Sequence, residues 1–207
     1  MFEWGFGANI RAGYGNKDLC REAIQLMGQD LEQSYIYTHL GWRKLPDDSW
    51  CYLHSNGAVG PDNVTVELEP ELARYVLPDE VKDSTLAVKA SIDLLNIAPV
   101  EVMMPLLALV YMSPLCEPAR KVNQEPAFVM WLHGTTGTRK TTLSALMMAH
   151  FGDFCSKNPP ASFRDTVNAV ERKAFAAKDS LLLVDDFYPN SSPKDASACY
   201  WADKIIF

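Results

Sequence analysis

The chain has 207 residues, 19 of them basic and 26 acidic, for a formal charge of −7. That balance excludes a protein that holds nucleic acid by charge alone, because such binding needs a broad basic face. With 48% hydrophobic and 22% charged residues, the composition excludes a disordered tail, and a globular chain of this size buries roughly 70% of its unfolded surface without disulfides or structural metal.

The five cysteines, Cys20, Cys51, Cys116, Cys155 and Cys199, are odd in number and contain no Cys-x-x-Cys pair, which favours reduced thiols in a cytoplasmic compartment. The start, Met1-Phe2-Glu3-Trp4-Gly5, lacks the basic and then apolar pattern of a signal peptide. The longest apolar stretch, from Val102 to Met112, includes Pro105 and falls short of the about 20 residues of a membrane span, so it is expected to be a core helix.

In chain order, Leu19, Ala23, Met27 and Leu31 recur at every fourth position between Asp18, Arg21, Glu22 and Asp30, which predicts an amphipathic helix over residues 16 to 31. Aromatic-rich runs over 35–42 and 50–54 flank Leu45-Pro46-Asp47-Asp48-Ser49, whose Pro-Asp chemistry suits a tight turn and predicts a hairpin. Asn56-Gly57 marks another turn, and Val64-Thr65-Val66-Glu67-Leu68-Glu69 alternates as a half-buried strand does. Residues 1–82 are therefore expected to form a small α+β module. Asp83 or Ser84 can cap a helix presenting Val88, Ile92 and Leu95, and residues 99–112 make a second, more apolar helix with Pro105 near its first turn. This pair, 83–112, reads as a helical bridge; the proline-rich, weakly periodic stretch 113–126 reads as a linker. Two glycine pairs, Gly5-Phe6-Gly7 and Gly13-Tyr14-Gly15, lack the third glycine of a dinucleotide loop. Cys51 and His54, three apart on a strand, point to opposite faces and make a poor zinc pair.

The stretch that carries chemistry begins with the apolar run Ala127-Phe128-Val129-Met130-Trp131-Leu132-His133, continues through Gly134-Thr135-Thr136-Gly137-Thr138-Arg139-Lys140-Thr141, and enters a helix-forming run at Thr142. The loop follows G-x-x-x-x-G-K-[ST] at Gly134, Lys140 and Thr141, adds Gly137, and carries Arg139 where the second glycine belongs. Gly134 and Gly137 let backbone N–H groups turn inward around a phosphate at a helix N-terminus, whose dipole amounts to about half a positive charge. Lys140 adds a point charge for the β- and γ-phosphates, and Thr141 can place its hydroxyl on Mg²⁺. The candidate nucleotide set is thus Gly134, Thr135, Thr136, Gly137, Thr138, Arg139, Lys140, Thr141 and Thr142.

Downstream, Ser180-Leu181-Leu182-Leu183-Val184-Asp185-Asp186 is a buried-strand pattern ending in two carboxylates, a Walker B pattern. Asp185 is placed to hold Mg²⁺ through water, and Asp186 to orient or deprotonate the attacking water, so Asp186 and Lys140 are the candidate catalytic residues. Between the two motifs, Ser162-x-x-Asp165 fits a capping box opening a crossover helix through Val167, Val170, Ala174 and Phe175.

Together with Tyr35-Ile36-Tyr37-Thr38-His39-Leu40-Gly41-Trp42-Arg43, Leu72-Ala73-Arg74-Tyr75-Val76-Leu77-Pro78, Thr166-x-Asn168-x-x-Glu171 and Lys178-Asp179 through Phe187, these motifs make the chain resemble the ATPase region of primase-helicase-like proteins of bacterial mobile elements and phages. That is a domain-of-unknown-function family related to AAA+ and superfamily 3 helicases. The resemblance spans about residues 17–207. It implies an α/β fold in which a partial P-loop NTPase parallel-sheet core (AAA+/RecA-like), residues 127–207, follows the α+β module and the helical pair. It also implies ATP and Mg²⁺ as cofactors, DNA as a partner in a full-length assembly, a homo-oligomeric ring there, no membrane, and a role in element replication. A complete core of that kind carries further strands with a polar sensor residue and an arginine finger after Asp186, so the chain is expected to be a truncated piece, its 202–207 end an interrupted helix. Two alternatives stay open: a nucleotide-binding or interaction module without turnover, and a P-loop kinase, for which no arginine-rich lid follows Asp186.

Overall fold

A computed structural model of the chain describes residues 13–27, 35–61, 64–80 and 82–187. The chain divides into two compact units, Met1–Tyr35 and Ile36–Phe207. The first contains α1 (Asn16–Met27), with Asp18 in its first turn, where a negative charge complements the helix dipole. The expected continuation of α1 to Leu31, the pair Gly5-Phe6-Gly7, Cys199 and the 202–207 helix lie outside the described residues.

The second unit is a mixed α/β body. Its elements are β1 (Ile36–Tyr37), β2 (Gly41–Lys44), β3 (Trp50–His54), β4 (Gly57–Val59), β5 (Thr65–Val66), α2 (Ser84–Asp93), α3 (Val100–Met112), α4 (Cys116–Lys121), α5 (Lys140–Met148), β6 (Ala161–Ser162), α6 (Val167–Ala176) and β7 (Val184–Asp185). Strands β2, β3 and β4 form an antiparallel meander in which Gly41 faces Leu53 and Lys44 faces Trp50. The 45–49 connection is a turn in which the Asp47 carboxylate accepts the Ser49 N–H at 3.0 Å and its hydroxyl at 2.7 Å, as Asp side chains do when they mimic a backbone turn.

The aromatic run over 35–42 does not make one strand. It breaks after Tyr37: β1 pairs in parallel with β5, and β2 starts afresh at Gly41. The break follows from packing, because Gly41 lies so close to the 178–179 turn that a Cβ would meet the Lys178 carbonyl oxygen at 2.3 Å.

The expected bounds at 82/83 and 126/127 do not coincide with the division into units. The meander is joined to the 176–180 region by Leu40 N–H donating to the Ala176 carbonyl at 2.7 Å and Trp42 N–H to the Asp179 carboxylate at 3.1 Å. The 113–126 stretch expected as a linker is partly helical, a 3₁₀ turn running into α4, with Glu117 and Glu125 both paired to Arg120. In the bridge, the Asp83 carboxylate caps α2 by accepting the Leu86 N–H at 2.9 Å. Pro105 lies inside α3, past the first turn where it was expected.

The core gathers Leu40, Leu72, Tyr75, Met103, Leu106, Val110, Met147, Met148, Phe151 and Phe154, so α3 and the C-terminal half of α5 pack together with Leu40, the residue just before β2. Met130, Leu132 and Leu181 to Leu183 pack against it, which seats both motif-bearing runs on one core. Among the described residues, Val100–Lys121 is long and apolar enough by length and composition to cross a membrane, and its Met103, Leu106, Leu107 and Val110 are buried in the fold.

The parallel core is smaller than expected. The run 127–133 carries no ladder, and of 180–185 only β7 does, pairing in parallel with β6 so that Ala161 faces Val184 and Ser162 faces Asp185. The crossover is therefore β6–α6–β7. Its capping box is half formed: the Asp165 carboxylate accepts the Ser162 N–H at 3.2 Å, but the Ser162 hydroxyl accepts from Arg164 N–H and the helix begins later, after Thr166.

Candidate functional site

Residues 134–139 fold as a loop closed at the start of α5. The Thr138 hydroxyl donates to the Thr135 carbonyl at 2.8 Å, and Lys140 Nζ reaches back to donate to the carbonyls of Gly134 at 2.8 Å and Thr135 at 3.0 Å, with Thr138 Oγ1 at 3.5 Å. An ammonium has three donors and no acceptor, so these carbonyls hold the lysine folded over the loop. Gly137 adopts φ 89°, a conformation that side chains other than glycine's rarely take.

Arg139 departs from the motif in residue type but not in backbone shape. It takes φ 60°, ψ 29°, left-handed, at the position of the motif's second glycine, and its carbonyl accepts the Leu143 N–H at 3.0 Å to begin the helix. The loop geometry that glycine would supply is thus reached by an arginine at a cost of roughly 1–2 kcal/mol in backbone strain.

Lys140, Thr141 and Ser144 line a cavity of about 380 Å³ together with the 128–132 run, the 180–185 run, Phe187 and, from α3, Leu106, Leu109 and Met112. The structure therefore gathers Lys140, Thr141 and Asp185 around one space. Thr135, Thr136, Thr138, Arg139 and Thr142 are exposed around the loop. Asp186 is not among the cavity-lining residues: it is exposed, left-handed at φ 61°, and its Oδ2 lies 3.4 Å from Arg164 Nε. Thr166 precedes α6 without capping it, and Asn168 and Glu171 sit on the exposed face of that helix.

Two features were not read from the sequence. The rings of Trp131, Phe163 and Phe187 meet one another, with centroids 4.9 Å apart for Trp131 and Phe187, 5.0 Å for Phe163 and Phe187, and 5.7 Å for the stacked Trp131 and Phe163. Trp131 and Phe187 belong to the cavity wall. Lys173, buried on α6, donates to the Asp165 carboxylate at 3.0 Å, which holds that carboxyl below its ordinary value. Neither was legible, because ring contacts and the Asp165–Lys173 pair depend on how β6, α6 and β7 stack. Among the described residues, no cluster of three or more His, Cys, Asp or Glu side chains is arranged for a metal ion. No family model, curated protein or solved structure matches the chain, so the functional reading rests on the site's own geometry.

Proposed function

We propose that this chain binds ATP with Mg²⁺ through the 134–142 loop, and that it is the ATP-binding portion of a mobile-element replication NTPase: helicase-like, cytoplasmic, DNA-dependent and ring-forming in a larger assembly. The observation that carries the reading is Lys140 folded over its loop, in one cavity with Thr141 and Asp185. The parallel β6–α6–β7 unit supports a partial P-loop core.

In this reading the carbonyls of Gly134 and Thr135 surrender Lys140 to the β- and γ-phosphates, and the N-terminus of α5 holds the phosphate with its free N–H groups. Thr141 would hold Mg²⁺ through its hydroxyl and Asp185 through water, an all-oxygen set that fits Mg²⁺ shared with nucleotide phosphates. When bound, the ion would offset the charge that develops on the transferring phosphoryl group. Asp186 acts as the water-orienting base once it leaves Arg164.

A second reading, nucleotide binding without turnover, is favoured by one observation, the pairing of Asp186 with Arg164 outside the cavity wall. Isothermal titration of ADP and ATP with Mg²⁺ tests binding: Lys140→Ala is expected to weaken affinity at least tenfold, and equal affinity in both proteins would sink the assignment. A phosphate-release assay with and without single-stranded DNA separates the two readings, since turnover abolished by Asp186→Asn requires the first.

A further inference from the structure

Asp179 occupies the turn between α6 and the 180–185 run, at φ 55°, with its side chain wholly enclosed. Oδ2 accepts the Trp42 backbone N–H at 3.1 Å, while Oδ1 has no hydrogen-bond partner. A carboxylate offers about four lone-pair sites, so a buried one met by a single donor is short of partners and its charge is expensive.

The groups facing it come from its own turn and three elements. Lys178 of the turn holds Nζ 3.6 Å from Oδ2, but that ammonium is shared, donating to the Trp42 carbonyl at 3.1 Å and lying 3.6 Å from Glu117 Oε2. From α4, Arg120 pulls the carboxyl down and Glu117 pushes it up, and the Cys116 thiol lies close by. Arg120 is itself engaged by Glu117 and by Glu125. From β3, the Tyr52 hydroxyl donates to the Asp179 carbonyl at 2.8 Å and meets Ser180 Oγ at 3.0 Å, its own ionisation pushed up to about 12, chiefly by burial. From β2 comes the Trp42 N–H. Burial is the largest influence on Asp179 and raises its carboxyl above the ordinary value.

This turn is also a joint. Gly41 of β2 has no room for a Cβ beside the Lys178 carbonyl and the Asp179 Cβ. Leu40 N–H is bonded to Ala176, and the Tyr75 hydroxyl donates to the Leu181 carbonyl at 2.8 Å. The run that ends in Asp185 and Asp186 is thus fastened at its root to the β2–β3–β4 meander, and one fastening passes through an ionisable group.

We propose that Asp179 makes this joint proton-responsive: the neutral acid closes it, with Oδ2 still accepting the Trp42 N–H, and the carboxylate strains it by placing an under-compensated charge inside. The proposal stands apart from the nucleotide reading, since it concerns the joint alone. A group whose folded value is raised contributes stability that is fully present below its unfolded value and is lost as pH rises through the folded value.

The test compares thermal unfolding of the wild type and Asp179→Asn between pH 4 and pH 7.5, with amide exchange over 176–185 followed by mass spectrometry. Titrating groups that do not interact with Asp179 are common to both proteins and cancel in the difference. The expected result is a difference in Tm that moves by roughly 3 °C or more in favour of Asp179→Asn as pH rises, with slower exchange over 176–185 in the variant at pH 7.5. A difference that stays constant with pH, or one that moves in favour of the wild type, overturns the proposal, because either means that Lys178 and Arg120 fully compensate the carboxylate. Asp179→Ala, read at pH 7.5, serves as the control for the Trp42 bond. It should exchange faster than Asp179→Asn over 176–185, and equal exchange in the two also counts against the joint.

Discussion

Left-handed backbone at Asp48, Asn123, Asp179 and Asp186 is of a kind that short polar side chains accept, whereas Arg139 has no such dispensation. Replacing Arg139 with glycine is therefore expected to raise stability by about 1 kcal/mol, or roughly 2–4 °C in Tm, while leaving nucleotide affinity within a few-fold of wild type; differential scanning fluorimetry beside titration checks both. The Asp165–Lys173 pair is argued the same way. Lys173 is nearly closed off from water while Asp165 is about one-third open, so Asp165→Ala leaves an ammonium with only distant Glu71, at 4.0 Å, to balance it. The expected loss is about 1–3 kcal/mol, measurable by urea denaturation at pH 7. Because the Asp165 carboxyl is held down by Lys173, the stability it adds is present above its ordinary value near 3.8 and fades as pH falls below that. The variant and the wild type should therefore converge in acid. The arginine's role as a glycine substitute could not be read from residue type, which argues for the opposite backbone; the strain at Arg139 becomes visible only in φ.

The elements that sequence patterns reveal are those whose causes lie nearby in the chain. The 45–49 turn follows from Pro46, Asp47 and Ser49, the α2 start from Asp83, and the 134–141 loop from its glycines and lysine, and each forms where those residues predict. The failures have distant causes. Whether 127–133 joins a ladder depends on a neighbouring strand and not on its own apolar character, and the early end of β1 is imposed by Gly41 meeting the 178–179 turn. The late start of α6 reflects Ser162 being taken up by the β6–β7 pairing. Just beyond α5, Gly152 shows the same long reach: at φ 154° a Cβ would fall 1.8 Å from the Arg74 carbonyl oxygen. Gly152→Ala should force α5 away from the 69–75 turn and cost about 3 kcal/mol or more, seen as a lowered Tm and loss of protection in both segments.

At the scale of the whole molecule, the proposed phosphate-binding loop sits in an acidic chain of net charge −7, so any attraction for an anionic ligand has to be local to that loop. The two motif-bearing runs picked out in the sequence line one cavity; the aromatic wall between them had no pattern to announce it. That wall has an optical consequence. Trp131 is one of five tryptophans, and its indole touches Phe163 and Phe187 on the lining of the space that Lys140 and Asp185 share. A ligand entering beside it changes both the polarity around the indole and the water allowed near it, so emission intensity should respond to Mg·ADP in the wild type and lose most of that response in Trp131→Phe. In the proposed reading the protein carries an intrinsic fluorophore beside its nucleotide site, and stopped-flow fluorescence could time loading of the loop without any attached dye.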